Sequence, residues 1–261
     1  MSELVRLTLD GPLAVLTLDR PEVMNALSLQ TLERLSAHVE RLARDPALRV
    51  VIVTGAGEKA FCAGADLKER AGFSEQQTRD YVARIGATFE AVAALPMPTI
   101  AAINGVAFGG GCELALACDL RVIARGAQMA LTETALAIIP GAGGTQRLPR
   151  VVGVARAKEL IFTARRLPAE EALSLGLVNE VCEPAELPAR ARALAAAIAA
   201  NGPLAVRAAK LAIGLAEGGL DLPEGLRRER QLYLQHVLPS ADRLEALAAF
   251  REKRPPRFRG C

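Results

Sequence analysis

The run Val50–Val53 is apolar on every residue, β-branched or aliphatic throughout, and so is suited to a strand buried on both faces. A second strand pattern, Thr99–Ile103, follows about fifty residues later, and helical patterns surround the pair. Ser28 can cap a helix whose apolar face is Leu32, Leu35, Val39 and Leu42, ended by Arg44-Asp45-Pro46. Ser74 starts another, with Gln77 completing a capping box. Its predicted buried stripe is Val82, Ile85, Phe89 and Val92, and Pro96 and Pro98 close it. Leu4–Asp10 and Leu13–Asp19 alternate apolar and polar residues around Gly11-Pro12, which predicts an opening hairpin. Strand, helix, strand, helix in this order predicts an α/β core built by crossovers. Past Pro184 the strand patterns stop, and from Pro203 the chain reads as helices broken at Gly218-Gly219, Pro223 and Pro239. The expected division is an α/β core, 1–202, and a helical region, 203–261, whose Leu211, Leu215, Leu232, Leu234 and Leu247 need burial.

Composition removes several function classes. With 51% hydrophobic and 23% charged residues, the 261-residue chain is an ordinary soluble globular sequence. No apolar run is long enough to span a bilayer; Ala191–Ala200 is short and carries Arg192. Met1-Ser2-Glu3 lacks the basic and apolar regions of a secretory signal, so a cytoplasmic location is expected. The cysteines Cys62, Cys112, Cys118, Cys182 and Cys261 form no CxxC pair, and neither His38 nor His236 stands near one. Neither a metal site nor a Cys–His nucleophile is expected. A net charge of +3 is too small to imply a nucleic-acid partner. Only Lys59, Lys68, Lys158, Lys210 and Lys253 are lysines; the other basic residues are arginines.

Two glycine-rich segments carry the chemistry. Asn104–Leu114 contains Gly109-Gly110-Gly111-Cys112-Glu113 between a strand and a helical pattern. Consecutive glycines let a backbone approach a ligand, and a helix start adds free N–H groups and a positive dipole end. The segment therefore suits a developing negative charge. It has neither the GxGxxG spacing of a dinucleotide loop nor the Gly-Lys-Ser/Thr of a P-loop. Ile139–Arg147 is the second segment; alone it reads as a tight turn. Phe61–Lys68 follows the Val50–Val53 strand and is small from Cys62 to Ala65, so it can expose further N–H groups. Glu113 alone reads as a complement to the helix dipole, and Glu133 alone as a surface residue; their placement beside these loops makes them candidates.

The string Pro98-Thr99-Ile100-Ala101-Ala102-Ile103-Asn104-Gly105-Val106-Ala107-Phe108-Gly109-Gly110-Gly111-Cys112-Glu113 resembles the central signature of the enoyl-CoA hydratase/isomerase (crotonase) family. Phe61–Lys68, Pro140–Arg147, Arg20-Pro21 and Asn25-Ala26-Leu27 resemble its other motifs. Cys62–Ala71, Ala137–Pro149 and Asp242–Pro256 are most similar to its methylglutaconyl-CoA hydratase branch, also known as the AU-specific RNA-binding hydratase homologue. The resemblance implies an α/β fold, a spiral of ββα units, with a C-terminal helical trimerisation region and two trimers stacked into a homohexamer. It implies oxyanion-hole N–H donors at Ala65 and Gly110 and catalytic glutamates at Glu113 and Glu133. It implies coenzyme A contacts at Ala63, Asp66, Leu67, Lys68 and Lys253, with Lys253 reaching in from a neighbouring subunit. Ala246, where many relatives have glycine, departs from the pattern.

What the resemblance implies is chemically coherent. Water attacking C3 of a 2-enoyl thioester drives charge onto the thioester oxygen, where two preorganised N–H donors stabilise it. One carboxylate accepts a proton from water and a second acid supplies one to C2. No cofactor is expected, because coenzyme A is part of the substrate. The expected reaction is hydration, with Glu113 as base and Glu133 as proton donor. The alternatives are an enoyl-CoA isomerase, which manages with one shuttling carboxylate, and an RNA-binding module. The basic tail Arg251–Arg259 speaks for RNA, but Ser28–Arg44 holds no lysine, and Glu33 and Glu40 dilute its arginines.

Overall fold

A computed structural model describes residues 3–261. Met1 and Ser2, two of the three residues behind the expectation of no secretory signal, lie outside them. The hairpin forms as β1 (Val5–Asp10) and β2 (Leu13–Leu18). The chain then alternates between two sheets: β3 (Val50–Gly55), β4 (Ala60–Cys62), β5 (Thr99–Ile103), β6 (Val106–Phe108), β7 (Leu120–Ala124), β8 (Gln128–Ala130), β9 (Leu167–Pro168) and β10 (Glu180–Cys182). Six strands make one sheet in the order β1-β2-β3-β5-β7-β10, and four make the other in the order β4-β6-β8-β9. Only the β1–β2 and β8–β9 pairs are antiparallel.

Each turn of the chain thus lays one strand in the large sheet, one in the small sheet, and then departs for the next turn. This is a spiral of ββα units. Helices Leu29–Ala43 and Glu75–Ala93 supply the covering that apolar strands require, and Ser28 and Ser74 cap them as predicted. Leu32, Leu35, Val39 and Leu42 are all buried. Val82 departs from the predicted stripe: it is exposed, and Tyr81 is buried in its stead. The Tyr81 hydroxyl donates to the Leu27 carbonyl at 2.8 Å, which satisfies its polar atom inside, while Ile85, Phe89 and Val92 are buried as predicted. The helix of the first glycine-rich segment begins within the glycines, at Gly110, and ends at Ala117.

The last strand ends at Cys182, and helix Leu187–Ala199 packs on the large sheet. The helices Pro203–Glu217, Leu222–Leu232 and Ala241–Glu252 follow. Arg207 and Lys210 dock the first of these on the core, donating to the Leu48 and Met97 carbonyls at 2.9 and 3.2 Å. Lys210 also pairs with Asp119 at 2.8 Å. The tail folds back: Arg259 and Gly260 N–H groups donate to the buried Asp242 carboxylate, and Arg49 donates to the Phe258 carbonyl. No helix among the described residues is long and apolar enough to cross a membrane.

Candidate active site

Three successive turns of the spiral meet at one place. The first supplies the loop after β4. Asn25, fully buried with φ +56°, donates through Nδ2 to the Ala56 and Ala60 carbonyls at 3.0 and 2.8 Å. Arg20 donates to the Ala26 carbonyl at 2.7 Å and pairs with Asp66 at 3.0 Å. These contacts fix Leu27, whose N–H donates to the Gly64 carbonyl and whose carbonyl accepts from the Asp66 N–H. A parallel bridge built this way uses the residues on either side of Ala65, so the Ala65 N–H points away from Leu27. This explains physically why Arg20-Pro21 and Asn25-Ala26-Leu27 belong to the site.

The second turn supplies the start of helix Gly110–Ala117. Its first N–H groups have no partner in the preceding turn. The helix lies directly on β4: a Cβ on Gly111 would stand 2.0 Å from the Cys62 carbonyl oxygen. Gly64 and Gly110 are in backbone contact, since a Cβ on Gly64 would stand 3.2 Å from the Gly110 nitrogen. Ala65 and Gly110 are therefore brought to one place, with no hydrogen bond from either N–H to another group among the described residues.

The third turn brings Glu133, at the start of a short 3-10 turn, within reach of the charge of Glu113 of the second. Both are buried, 3% exposed for Glu113 and 8% for Glu133. Their environments differ. Oε1 of Glu113 accepts from the N–H groups of Ala142 and Gly144, both at 2.8 Å. Burial pushes its carboxyl up, and the two N–H groups and the Arg147 charge oppose that rise. Oε2 of Glu133 is buried and has no hydrogen-bond partner among the described residues. Burial, and then the Glu113 charge, push the Glu133 carboxyl up to about 7. Glu113 thus has two backbone N–H groups that favour its charged form, while Oε2 of Glu133 has no such donor.

The sequence profile of the Enoyl-CoA hydratase/isomerase family matches residues 9–261. The chain belongs to the enoyl-CoA hydratase/isomerase, or crotonase, family. A putative enoyl-CoA hydratase/isomerase of Bacillus subtilis (strain 168) is 52% identical over 250 residues, 95% of either chain. The mitochondrial methylglutaconyl-CoA hydratase of Homo sapiens is 48% identical over 252 residues, 95% of this chain and 74% of that protein. The crystal structure of an enoyl-CoA hydratase from Bacillus anthracis superposes with a TM-score of 0.97 at 52% identity, covering 99% of this chain and 100% of that one. The spiral described above is thus the crotonase fold, as the sequence resemblance implied.

The remaining expected site residues of this crotonase-family enzyme are distributed around the loops. The Ala63 N–H is taken by the Met24 carbonyl at 2.9 Å. Asp66 caps the short helix Leu67–Arg70 by accepting from the Glu69 N–H, and also pairs with Arg20. Burial raises its carboxyl, but Glu69 N–H and Arg20 outweigh burial and hold it below its ordinary range. That carboxylate is engaged in holding the loop. Leu67 and Lys68 are exposed on the short helix, and Lys253 is exposed at the end of Ala241–Glu252 with φ +52°. No hydrogen bond or ion pair among the described residues joins Lys68 or Lys253 to the two glutamates. Sequence reasoning gave no role to Ala142 or Gly144, for which the second glycine-rich segment was the signal, and it named Asn25 only as part of a motif.

Proposed function

We propose that this crotonase-family enzyme adds water across the C2–C3 double bond of a 2-enoyl-CoA thioester. The observation that carries the reading is the unequal pair: Glu113 buried with two N–H donors on Oε1, Glu133 buried with Oε2 unpaired. Glu113 removes a proton from water as the hydroxyl oxygen bonds to C3. The C2–C3 π electrons shift to give an enolate whose oxygen faces the Ala65 and Gly110 N–H groups. Glu133 then gives its proton to C2 as the carbonyl re-forms. The proton left on Glu113 returns to Glu133 to close the cycle. Removing one such oxyanion donor is worth roughly 3 kcal/mol in other enzymes, so two preorganised donors are a major share of the rate.

An isomerase needs one carboxylate to move a proton between carbons. Here the second carboxylate is also desolvated and raised to about 7, which favours a reaction that uses two. A relative named methylglutaconyl-CoA hydratase keeps 3-methylglutaconyl beside short straight chains as a candidate acyl group. The test follows loss of the conjugated thioester absorbance with crotonyl-, longer enoyl- and 3-methylglutaconyl-CoA for wild type, Glu113→Gln and Glu133→Gln. Each substitution is expected to lower kcat by about two orders of magnitude or more with the fold intact. Near wild-type hydration by either variant refutes the two-carboxylate reading.

A further inference from the structure

Arg147 takes no part in the steps above, yet its side chain and main chain organise the second glycine-rich segment. Its Nη1 donates to the Ala142 carbonyl at 3.0 Å. To get there the guanidinium crosses Gly143, whose φ is +109° and where an added Cβ would meet Nη1 at 2.1 Å. The Arg147 N–H donates to the next carbonyl, that of Gly143, at 2.8 Å. The peptide joining Gly143 to Gly144 is therefore gripped at its carbonyl by Arg147 while its N–H donates to Oε1 of Glu113. The peptide before it, held by Nη1, follows directly on the Ala142 N–H that makes the second bond to Oε1. The guanidinium thus holds the Ala142 carbonyl, while the main-chain N–H groups of Gln146 and Arg147 hold that of Gly143, so both N–H groups aimed at the carboxylate are flanked by fixed carbonyls.

We propose that Arg147 is a positioning residue for Glu113: its guanidinium holds the Ala142 carbonyl, and with it the loop whose Ala142 and Gly144 N–H groups are aimed at Oε1. Its charge also opposes the rise that burial imposes on that carboxyl. The inference rests on the hydratase reading for its kinetic consequence, but not for its structural one. The ionisable and charged groups that bear on Glu113 are Glu133 from the third turn, Cys112 beside it and Arg147 itself. Burial pushes the Cys112 thiol far up, so it stays neutral. Arg147 is the cation that opposes the rise in Glu113, and the Glu113 charge in turn raises Glu133.

The experiment compares pH profiles of kcat/KM on crotonyl-CoA for wild type, Arg147→Lys, Arg147→Gln and Arg147→Met. Arg147→Met removes the hydrogen bond and the charge; kcat should fall about ten- to hundredfold, the range for a lost hydrogen bond to a charged group. KM should stay within about twofold, because no substrate contact is lost. The acid limb should move to higher pH, because Glu113 holds its proton more tightly. Arg147→Lys should keep the limb near that of wild type. Arg147→Gln keeps a donor without the charge and should move the limb with a smaller fall in kcat; it carries the test if Arg147→Met does not fold. The proton on Glu113 is also read in the free protein, from the infrared carboxyl band that Glu113→Gln removes. If wild type hydrates no enoyl-CoA, the reaction assignment fails while the infrared titration still decides the role of Arg147. An acid limb and a carboxyl band that titrate alike in wild type, Arg147→Met and Arg147→Gln overturn the proposal, as does a loss confined to KM.

Discussion

Glu133 rests on the backbone of Gly109: a Cβ added to Gly109 would stand 3.2 Å from Oε1 of Glu133 and 3.6 Å from its carboxyl carbon. Gly109 has φ +51° and ψ −121°, and it hands the chain from β6 into the helix that carries Glu113. One residue therefore sets both the entry of the helix and the seat of the second carboxylate. Gly109→Ala adds a methyl group against that seat and strains the turn. We expect kcat to fall about a hundredfold, the scale of a displacement of about 1 Å in a catalytic group. Steady-state kinetics beside circular dichroism checks this; a folded Gly109→Ala enzyme of unaltered kcat removes the seat from the account.

The raised carboxyl of Glu133 has a consequence for stability. Its ordinary value is 4.5 and its value in the fold is about 7. Between the two the folded state holds a proton that the unfolded state has lost, so stability declines as pH rises through this window. Above it the fold carries a buried anion beside Glu113. Glu133→Gln has no such charge and should melt above wild type at about pH 8, with the gap closing toward about pH 5. Thermal unfolding at the two pH values reads the difference, and a gap that widens toward acid contradicts the assignment.

Lys68 and Lys253 are both exposed and join no ion pair among the described residues. If they meet the 3′-phosphate of coenzyme A, Lys68→Ala and Lys253→Ala should each raise KM about ten- to hundredfold with little change in kcat. On crotonyl-dephospho-CoA the variants and wild type should converge. Unchanged KM on both substrates rejects the phosphate contact and leaves the chemistry of the two glutamates untouched.

The helices after Pro203 leave large apolar residues uncovered, with Leu222 74% and Phe250 85% exposed, together with Leu211, Ile213, Leu234, Leu244 and Leu247. Such a surface is unusual for a lone chain. Light scattering at micromolar protein should report a hexamer, and Leu247→Asp with Phe250→Asp should release smaller species. A wild-type monomer at that concentration refutes the assembly.

Much of the large sheet was legible because its strands are long enough to carry a pattern. Val50–Val53 and Thr99–Ile103 fall on β3 and β5, and Ser28 and Ser74 cap the long helices that precede them. The small sheet was not, because strands of two or three residues, such as Leu167–Pro168 and Gln128–Ala130, have no period to read. Glu113 stood out by following three glycines. Glu133 did not, since nothing in Leu131-Thr132-Glu133-Thr134 marks burial; the spiral alone buries it. Val82 was misplaced because a tyrosine hydroxyl bonded to Leu27 let Tyr81 take the inner position. The resemblance supplied the roles of Ala65 and Gly110, which no side chain announces.

The order in which the turns are laid down separates two tasks along the chain. Loop 63–66 and the Gly109–Gly111 backbone come from the first two turns, and Glu133 with the Ala142–Gly144 loop from the third. On the proposed mechanism, the backbone that receives a carbonyl oxygen is thus encoded apart from the side chain that supplies a proton. Exchange of the third turn alone would hand the same captured thioester to different chemistry, without disturbing the atoms that hold it. A fold divided in this way can change its reaction by local substitution while inheriting its grip on the substrate whole.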